Sequence, residues 1–414
     1  MHLSVESASL TAAFRAALGP VDHPLGLAVS GGGDSVALLL LAVDAGLQVR
    51  TVTVDHGLRP EAAGEAAWVG RLCAGLGVPH DTLQWQGWDG AGNLQDQARR
   101  ARLSLIADWA KVAGLGAVAL GHTQDDQAET VLMRLARRAG VDGLSAMSAQ
   151  RRAQGMTWLR PLLSVSRDDL RTYLRARGQE WIEDPSNDAL RFDRVKARRA
   201  LVHLAPLGIT PEVLAGVADQ MRMARSALGH QTEAAARQIA HLEGGDVVMD
   251  RAGFQGLPDE IRRRLLVGAL GWVGSAEYGP RAASVQALLT AVAAGQGGTL
   301  AGCRISLRAR ALRVAREWQA VRGMVAAPGQ LWDRRWQVSG PDFNGLDVRA
   351  LGEAGLSAVG DWRKSGLPRA SLLASPSVWR AEVLIAAPLV AGTAGWTAEL
   401  AGGADGFFLS LLSH

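Results

Sequence analysis

Apolar positions in the first 140 residues fall into two alternating patterns. Short, nearly continuous apolar runs at Leu25 to Val29, Val49 to Val54 and Ala117 to Leu120 read as strands buried on both faces. Between them, Val36 to Ala45, Glu61 to Leu76, Leu94 to Val112 and Ala128 to Arg138 carry the longer spacing of helices. This alternation predicts parallel βαβ units, and so an α/β fold on a doubly wound parallel sheet. Each expected strand gives way to a glycine-rich or polar stretch: Ser30-Gly31-Gly32-Gly33-Asp34-Ser35, Asp55-His56-Gly57 and Gly121-His122-Thr123. In a doubly wound sheet the carboxyl ends of the strands share one rim, where ligands bind.

Further along, a short strand is expected near Trp158, followed by a helix opened by Ser166 with Asp169 three residues on, a capping-box pattern with Asp in place of Glu. Pro206, Gly208 and Pro211 punctuate the exit from this region. Residues 212 to 295 read as helical, and from Gly298 the residues alternate as in short strands among many glycines and prolines. A chain of 414 residues is too long for one ordinary core. The expected organisation is an α/β catalytic domain over residues 1–205, a helical domain over 206–297 and a small mixed or β-rich segment over 298–414.

The formal charge is only +4, but it is unevenly spread. Residues 1–150 hold 11 basic and 15 acidic groups, residues 151–200 hold 12 and 7, and residues 250–323 hold 11 and 5. Two basic stretches after a mildly acidic start suit contact with a phosphate backbone along two surfaces. Lys111, Lys196 and Lys364 are the only lysines among 44 basic residues. Forked arginine contacts to phosphate are favoured by that bias, although GC-rich coding accounts for part of it. Cys73 and Cys303 are too few for a thiolate zinc site or a disulfide framework, which fits a reducing, cytoplasmic setting. No basic start with an apolar core marks a secretory signal, and the longest apolar runs, Val36 to Val43 and Val383 to Trp396, are too short or too interrupted to span a bilayer, so no membrane partner is expected.

Chemistry concentrates at the expected rim. In Ser30 to Ser35 the glycines allow a tight turn with N–H groups facing an anion, the following helix adds its dipole, and Asp34 is a candidate magnesium ligand. The sequence has neither a G-x-x-x-x-G-K-[ST] phosphate loop nor a G-x-G-x-x-G. Asp125, Asp126 and Glu129 follow the third strand into a helix start. Any one of them could be a dipole partner; together they suit Mg²⁺ shared with a triphosphate, or the ammonium of an amine substrate. Arg99 and Arg102, three apart on one helix face, suit either a solvated face or charge neutralisation of phosphoryl oxygens.

The segment SGGGDS resembles the PP-loop, SGGxDS, of the ATP pyrophosphatase superfamily, which implies cleavage of ATP between the α and β phosphates. Together with Val54-Asp55-His56-Gly57-Leu58-Arg59, the segment around Arg99, Gly121 to Thr130, Gly143 to Met147, Leu159 to Leu163, and Trp181 to Asn187 with Arg194, Lys196 and Arg198, it resembles the ordered motif set of tRNA(Ile)-lysidine synthetases over roughly the first 200 residues. Two positions depart from that pattern: Arg137-Arg138-Ala139-Gly140 stands where Arg-Gly-Ser/Ala-Gly is common, and Leu103 where an aromatic is usual.

The resemblance implies a ligase that uses ATP and Mg²⁺, with tRNA(Ile) bearing a CAU anticodon and free L-lysine as partners; a homodimer is left open. Ser30, Gly31, Gly32, Gly33, Asp34, Ser35 and His122 would contact the nucleotide. Asp34 and Asp125 would hold the metal, Arg99 would steady the transferred group, and Asp126 or Glu129 would accept the lysine ammonium. His56, Arg59, Arg194, Lys196 and Arg198 would meet tRNA. Two other readings stay open: a PP-loop tRNA thiolase, disfavoured by the lack of paired cysteines, and a silent tRNA-binding module, disfavoured by the retained carboxylates.

Overall fold

The structure is a computed structural model. It describes residues 5–20, 24–57, 61–85, 94–183, 192–275, 279–327, 329–390 and 395–412, which form two compact units, Met1–Arg225 and Ser226–His414.

The first unit is built on a six-stranded sheet: β1 (Leu25–Ala28), β2 (Val49–Asp55), β3 (His80–Gln84), β4 (Ala117–Leu120), β5 (Gln150–Ala153) and β6 (Met156–Leu159). Their order is β3-β2-β1-β4-β6-β5, parallel throughout except for the β5–β6 hairpin at one edge. Leu25, Leu27, Val118 and Ala119 are buried, as strands covered on both faces require. The helices are α1 (Val5–Leu18), α2 (Gly33–Asp44), α3 (Ala62–Gly75), α4 (Leu94–Val112), α5 (Gln124–Leu135), α6 (Val141–Leu144), α7 (Arg167–Ala176) and α8 (Asp193–Leu204). In α2 every residue from Ser35 to Ala42 is buried, because it packs between α1, α7 and the sheet. The chain leaves β1 on one side toward β2 while β4 lies on the other, so the order reverses between β1 and β4 and opens a crevice at their carboxyl ends.

In this unit the strands and helices expected from sequence are present, and the structure adds the helices α1, α6 and α8 and the strands β3 and β5. The patterns of these two strands, HDTLQ and QRRA, contain few apolar residues, and both strands lie at sheet edges where one flank is solvated.

The second unit begins within α9 (Pro211–Ile239) and continues into a hairpin of β7 (Ala240–Glu243) and β8 (Asp246–Asp250). Gly244 and Gly245, at φ of 57° and 85°, form the two-residue turn whose positive φ at both positions matches the strand twist. These strands lie within the stretch read from sequence as helical. They join β9 (Gly298–Leu300), β10 (Cys303–Leu307) and β11 (Ala311–Arg316) in the order β7-β8-β11-β10-β9. Helices Asp259–Gly274 and Ala282–Ala293 contribute Leu265, Leu270, Val273 and Leu288 to the core against this sheet. Beyond residue 320, a four-stranded and a two-stranded antiparallel sheet enclose a core around Trp332, Val348 and Val378. The α/β sheet followed by helices and β-rich segments agrees with the expected class. No single helix among the described residues is long and apolar enough to cross a membrane.

Candidate active site

The phosphate loop sits where the crevice opens. Gly31 stands at φ +90°, and a Cβ there would come within 2.6 Å of Ile182 Cδ1, so glycine is required for both conformation and contact. Ser35 Oγ donates to Gly32 O at 2.8 Å and accepts from the Ser30 N–H at 3.1 Å, closing the loop on itself. Its helix, α2, begins at Gly32 with no side-chain cap, leaving an N-terminus suited to an anion. Two other motifs are pinned onto this loop. The Ile182 N–H donates to Gly31 O at 2.9 Å. Gly121, at the end of β4, comes so close to α2 that a Cβ would lie 3.0 Å from Asp34 O and 3.2 Å from Ser35 Cα. Any larger residue would push the strand end carrying His122 away from the loop carrying Asp34.

Beyond Gly121, α5 opens with a capping box. Thr123 Oγ1 accepts from the Asp126 N–H, and Asp126 Oδ2 accepts from the Thr123 N–H at 2.9 Å. Asp126 Oδ1 and Glu129 turn toward one guanidinium, that of Arg167, the first residue of α7. Arg167 Nε donates to Asp34 Oδ2 at 3.3 Å, Nη2 to Asp126 Oδ1 at 3.4 Å and Nη1 to Glu129 Oε1 at 3.5 Å, while its backbone N–H donates to Asp125 Oδ2 at 2.7 Å. All four carboxylates named from sequence are thus gathered by a single residue that sequence reasoning passed over. A second layer comes from α8, where Arg198 Nε donates to Glu129 Oε1 at 2.8 Å and Arg194 lies 3.9 Å from Asp126. Glu129 is fully buried, and its Oε2 has no hydrogen-bond partner among the described residues.

Electrostatics follow this arrangement. Burial pushes the Asp34 carboxyl above its ordinary value; Arg167 counters only part of that, and Asp126 and Asp125 add repulsion. Burial alone would raise Asp126 too, but His122, Arg167 and Arg194 outweigh it and hold the carboxyl below the usual range. Arg167 is held above its ordinary value because Asp126, Asp34 and Glu129 outweigh its own burial. Beside the acids lies a cationic wall. His122 is pushed down to about 3 by burial, with Arg160, Arg194 and Arg102 adding to the shift against Asp126, and its buried Nδ1 has no partner among the described residues. Arg160 is pushed down to about 10 by burial and by Arg151 and Arg99. Arg102 is lowered by burial and by Arg99 and Arg194, and its Nε is unpartnered among the described residues. His56 is lowered by burial and by Arg102. Cations held together against mutual repulsion mark a place for an anion.

The residues named from sequence therefore divide. Ser30 to Ser35, His122, Asp125, Asp126 and Glu129 converge at the β1–β4 crevice. Arg99 is exposed, within electrostatic reach of Arg102 and Arg160. On α8, Arg194 and Arg198 are one helical turn apart and face the acids, so both are engaged within the protein. Lys196, on another face, pairs with Asp193 at 3.2 Å and is exposed. Arg59 and residues 184–187 lie outside the described residues. Cys73 and Cys303 are both fully buried, and burial raises both thiols, Cys303 to about 12, the reverse of an activated thiolate.

A nucleotide-type phosphate loop at the switch point of a mostly parallel sheet defines the class, and residues 6–205 match the PP-loop domain family. The chain is 52% identical over 394 residues to the tRNA(Ile)-lysidine synthase of Ruegeria pomeroyi, covering 94% of each chain. It is 40% identical over 319 residues to the enzyme of that name from a Bradyrhizobium species, covering 70% of this chain and 89% of the relative. The chain belongs to the tRNA(Ile)-lysidine synthase family.

Proposed function

We propose that this chain activates the wobble cytidine of the CAU anticodon in tRNA(Ile) with ATP and joins free lysine to it. The cytidine O2 attacks the α phosphorus and pyrophosphate leaves; the lysine ε-amine then attacks C2 and AMP leaves. The uncapped start of α2 and the Ser30 to Gly33 turn bind the phosphates, with Ser35 shaping the loop from within. His122, neutral at physiological pH, and the Arg99, Arg102 and Arg160 wall face the charge that moves from the α phosphate to pyrophosphate.

The observation that carries the amine half of this reading is Glu129. A fully buried carboxylate with one oxygen unpartnered is costly unless a cation completes it, and an ammonium is such a cation. Asp126 is spent on its capping box and on arginines, which supports Glu129 over Asp126 as the main ammonium acceptor. Among the described residues, no three His, Cys, Asp or Glu side chains stand close enough to hold a metal by themselves. Two carboxylates beside a phosphate loop nevertheless fit Mg²⁺, which binds through one or two carboxylates together with substrate phosphates and water. Asp34 and Asp125 would hold it, and it would supply charge neutralisation on the phosphoryl oxygens.

The test is to incubate the protein with α-labelled ATP, labelled lysine and unmodified tRNA bearing a CAU anticodon. Label from lysine should enter RNA, with AMP and pyrophosphate as products. ADP as the main product, or sulfur rather than lysine entering RNA, would overturn the reading. Glu129→Gln should raise the KM for lysine about tenfold or more while ATP-dependent adenylation persists.

A further inference from the structure

The four acids do not depend equally on Arg167. Asp125 is held by the Arg167 backbone N–H, which any side chain at that position would supply. Asp126 has its capping box and Glu129 has Arg198. Asp34 differs: its side chain bonds only the Arg167 guanidinium among the contacts of the described residues. The three guanidinium contacts, at 3.3 to 3.5 Å, are longer than the roughly 2.7–2.9 Å of a tight charge-assisted pair, so the cation is shared and bound closely to none.

We propose that Arg167 is a resident counter-ion for Asp34, which keeps the cation position at the phosphate loop closed to free divalent metal and yields it to metal that arrives with a nucleotide. The inference rests on the assignment of Asp34 and Asp125 as the metal-holding pair. Without nucleotide, a divalent ion would have to displace a guanidinium already neutralising Asp34, and would find only two carboxylates in return. A triphosphate changes both sides of that exchange. It supplies further oxygens to the metal, and it offers the guanidinium new anionic partners, so neither cation is left uncompensated. Arg167 is thus a positioning residue. Its gain is order of arrival, because metal that lodged alone between Asp34 and Asp125 would bring no phosphates with it.

The experiment uses Mn²⁺ as the probe, read by electron paramagnetic resonance on the full-length protein with and without the non-cleavable α,β-methylene analogue of ATP. Without nucleotide, Arg167→Gln should bind Mn²⁺ at least about tenfold more tightly than the unaltered protein, the scale of one charged hydrogen bond removed from competition. Arg167→Lys, which keeps the charge, should stay near the unaltered affinity, and adding Asp34→Asn to Arg167→Gln should abolish the gain. Arg167→Met, similar in volume and uncharged, repeats the comparison should the Gln variant fail to fold. Equal Mn²⁺ affinity in the charged and uncharged forms overturns the proposal. With nucleotide, Asp34→Asn alone should weaken Mn²⁺ binding about tenfold or more. If it does not, the metal assignment itself falls, an outcome distinct from failure of the counter-ion role.

Discussion

Each unit of the protein holds, among the described residues, a largely buried network in which arginines gather carboxylates, and the networks around Arg167 and Arg316 are built to different standards. In the second unit Arg316 meets Asp333 through two parallel bonds of 2.9 Å, with side chains 8% and 2% exposed. Nearby, Arg335 donates to the carbonyls of Gly245 and Val273 and stacks against Trp272 and Trp336. Asp246 is satisfied by Arg313 and by Ser371. In the first unit one guanidinium is stretched among three carboxylates at 3.3 to 3.5 Å, and Glu129 Oε2 and His122 Nδ1 go unpartnered among the described residues. Burial raises Asp34 here as it raises Asp246 and Asp333 in the second unit, so the difference lies in the bonds made. The second unit's network closes its ion pairs at ordinary bonding distances and leaves one buried atom, Arg335 Nε, unpartnered among the described residues. The first leaves its ion pairs long and a carboxylate oxygen open, at a cost the rest of the fold must carry.

The largest effect that tests this contrast is at Asp34. Its carboxyl is raised above the ordinary value, so keeping it ionised at pH 7 opposes folding. Asp34→Asn should therefore lower tRNA adenylation by about a thousandfold, equivalent to roughly 4 kcal/mol of transition-state stabilisation, while leaving stability unchanged or improved. Adenylation rates and hydrogen exchange over residues 25–55 measure the two sides. A less stable, still active variant would erase the distinction between the networks.

The second unit should behave in the opposite way. Asp333 stands at φ 48°, which Asn tolerates and a branched apolar side chain does not. Asp333→Asn leaves Arg316 buried without its counter-charge and should cost about 3–5 kcal/mol locally, whereas adding Arg316→Gln, which removes the unpaired charge, should recover much of that cost. Hydrogen exchange over residues 303–316 reads the local stability, and adenylation should survive in both. A third effect, smaller, comes from His122. Its folded pKa of about 3 lies below the 6.5 of the unfolded chain, so below pH 6.5 the unfolded state takes up a proton that the fold refuses. The stability lost through this residue should be about 1.4 kcal/mol per pH unit, or about 2 kcal/mol between pH 6.5 and 5. Denaturant titrations should show a loss smaller by that amount in His122→Gln than in the unaltered protein. His56 and His80, also lowered by burial, lose stability over the same window in both proteins and cancel in the comparison.

Legibility from sequence tracks how local each signal is. The strands β1, β2 and β4 and the SGGGDS loop are written in contiguous residues, and the structure has them where the patterns said, while the helix after β4 starts at Gln124, four residues ahead of the Ala128 that spacing gave. Ser166 did open a helix and accepts from the Asp169 N–H. Yet the same local pattern hid Arg167 between them, because its partners are Asp34, 133 residues away, and Asp126 and Glu129 on α5, a pairing no local spacing encodes. The available signal was weaker: a cation at the first turn of a helix, where the dipole disfavours it, needs a tertiary reason. The β7–β8 hairpin was legible and missed, since Gly244-Gly245 between Leu242 and Val247 is a hairpin turn that a helical reading of the whole stretch swallowed. Charge counts by segment overstate the uncompensated charge for a similar reason, as five arginines of the basic stretch 250–323 are bound to carboxylates within the protein: Arg262, Arg263, Arg264, Arg313 and Arg316.

That division of arginines yields the last and smallest prediction. Arg308 and Arg310 are exposed beside the β10–β11 turn and form no ion pair with described residues, while Arg262 and Arg263, in the same basic stretch, are tied to Asp259 and Glu260 one turn away on their own helix. An arginine already neutralised gains less from a phosphate, because the new contact must compete with the old one. Each phosphate contact contributes roughly one unit to the slope of log affinity against log salt. Replacing Arg308 and Arg310 together by Gln should therefore flatten the salt dependence of tRNA binding by up to about two units and weaken binding at low salt. The pair Arg262→Gln and Arg263→Gln should leave the slope within error of the unaltered protein. Filter-binding titrations from low to moderate salt, run on all three proteins with the same tRNA, make the comparison. Equal slopes for the Arg308/Arg310 pair and the unaltered protein would remove this hairpin from the RNA-binding surface, and a flatter slope for the Arg262/Arg263 pair would show that intramolecular pairing does not predict which arginines the RNA takes.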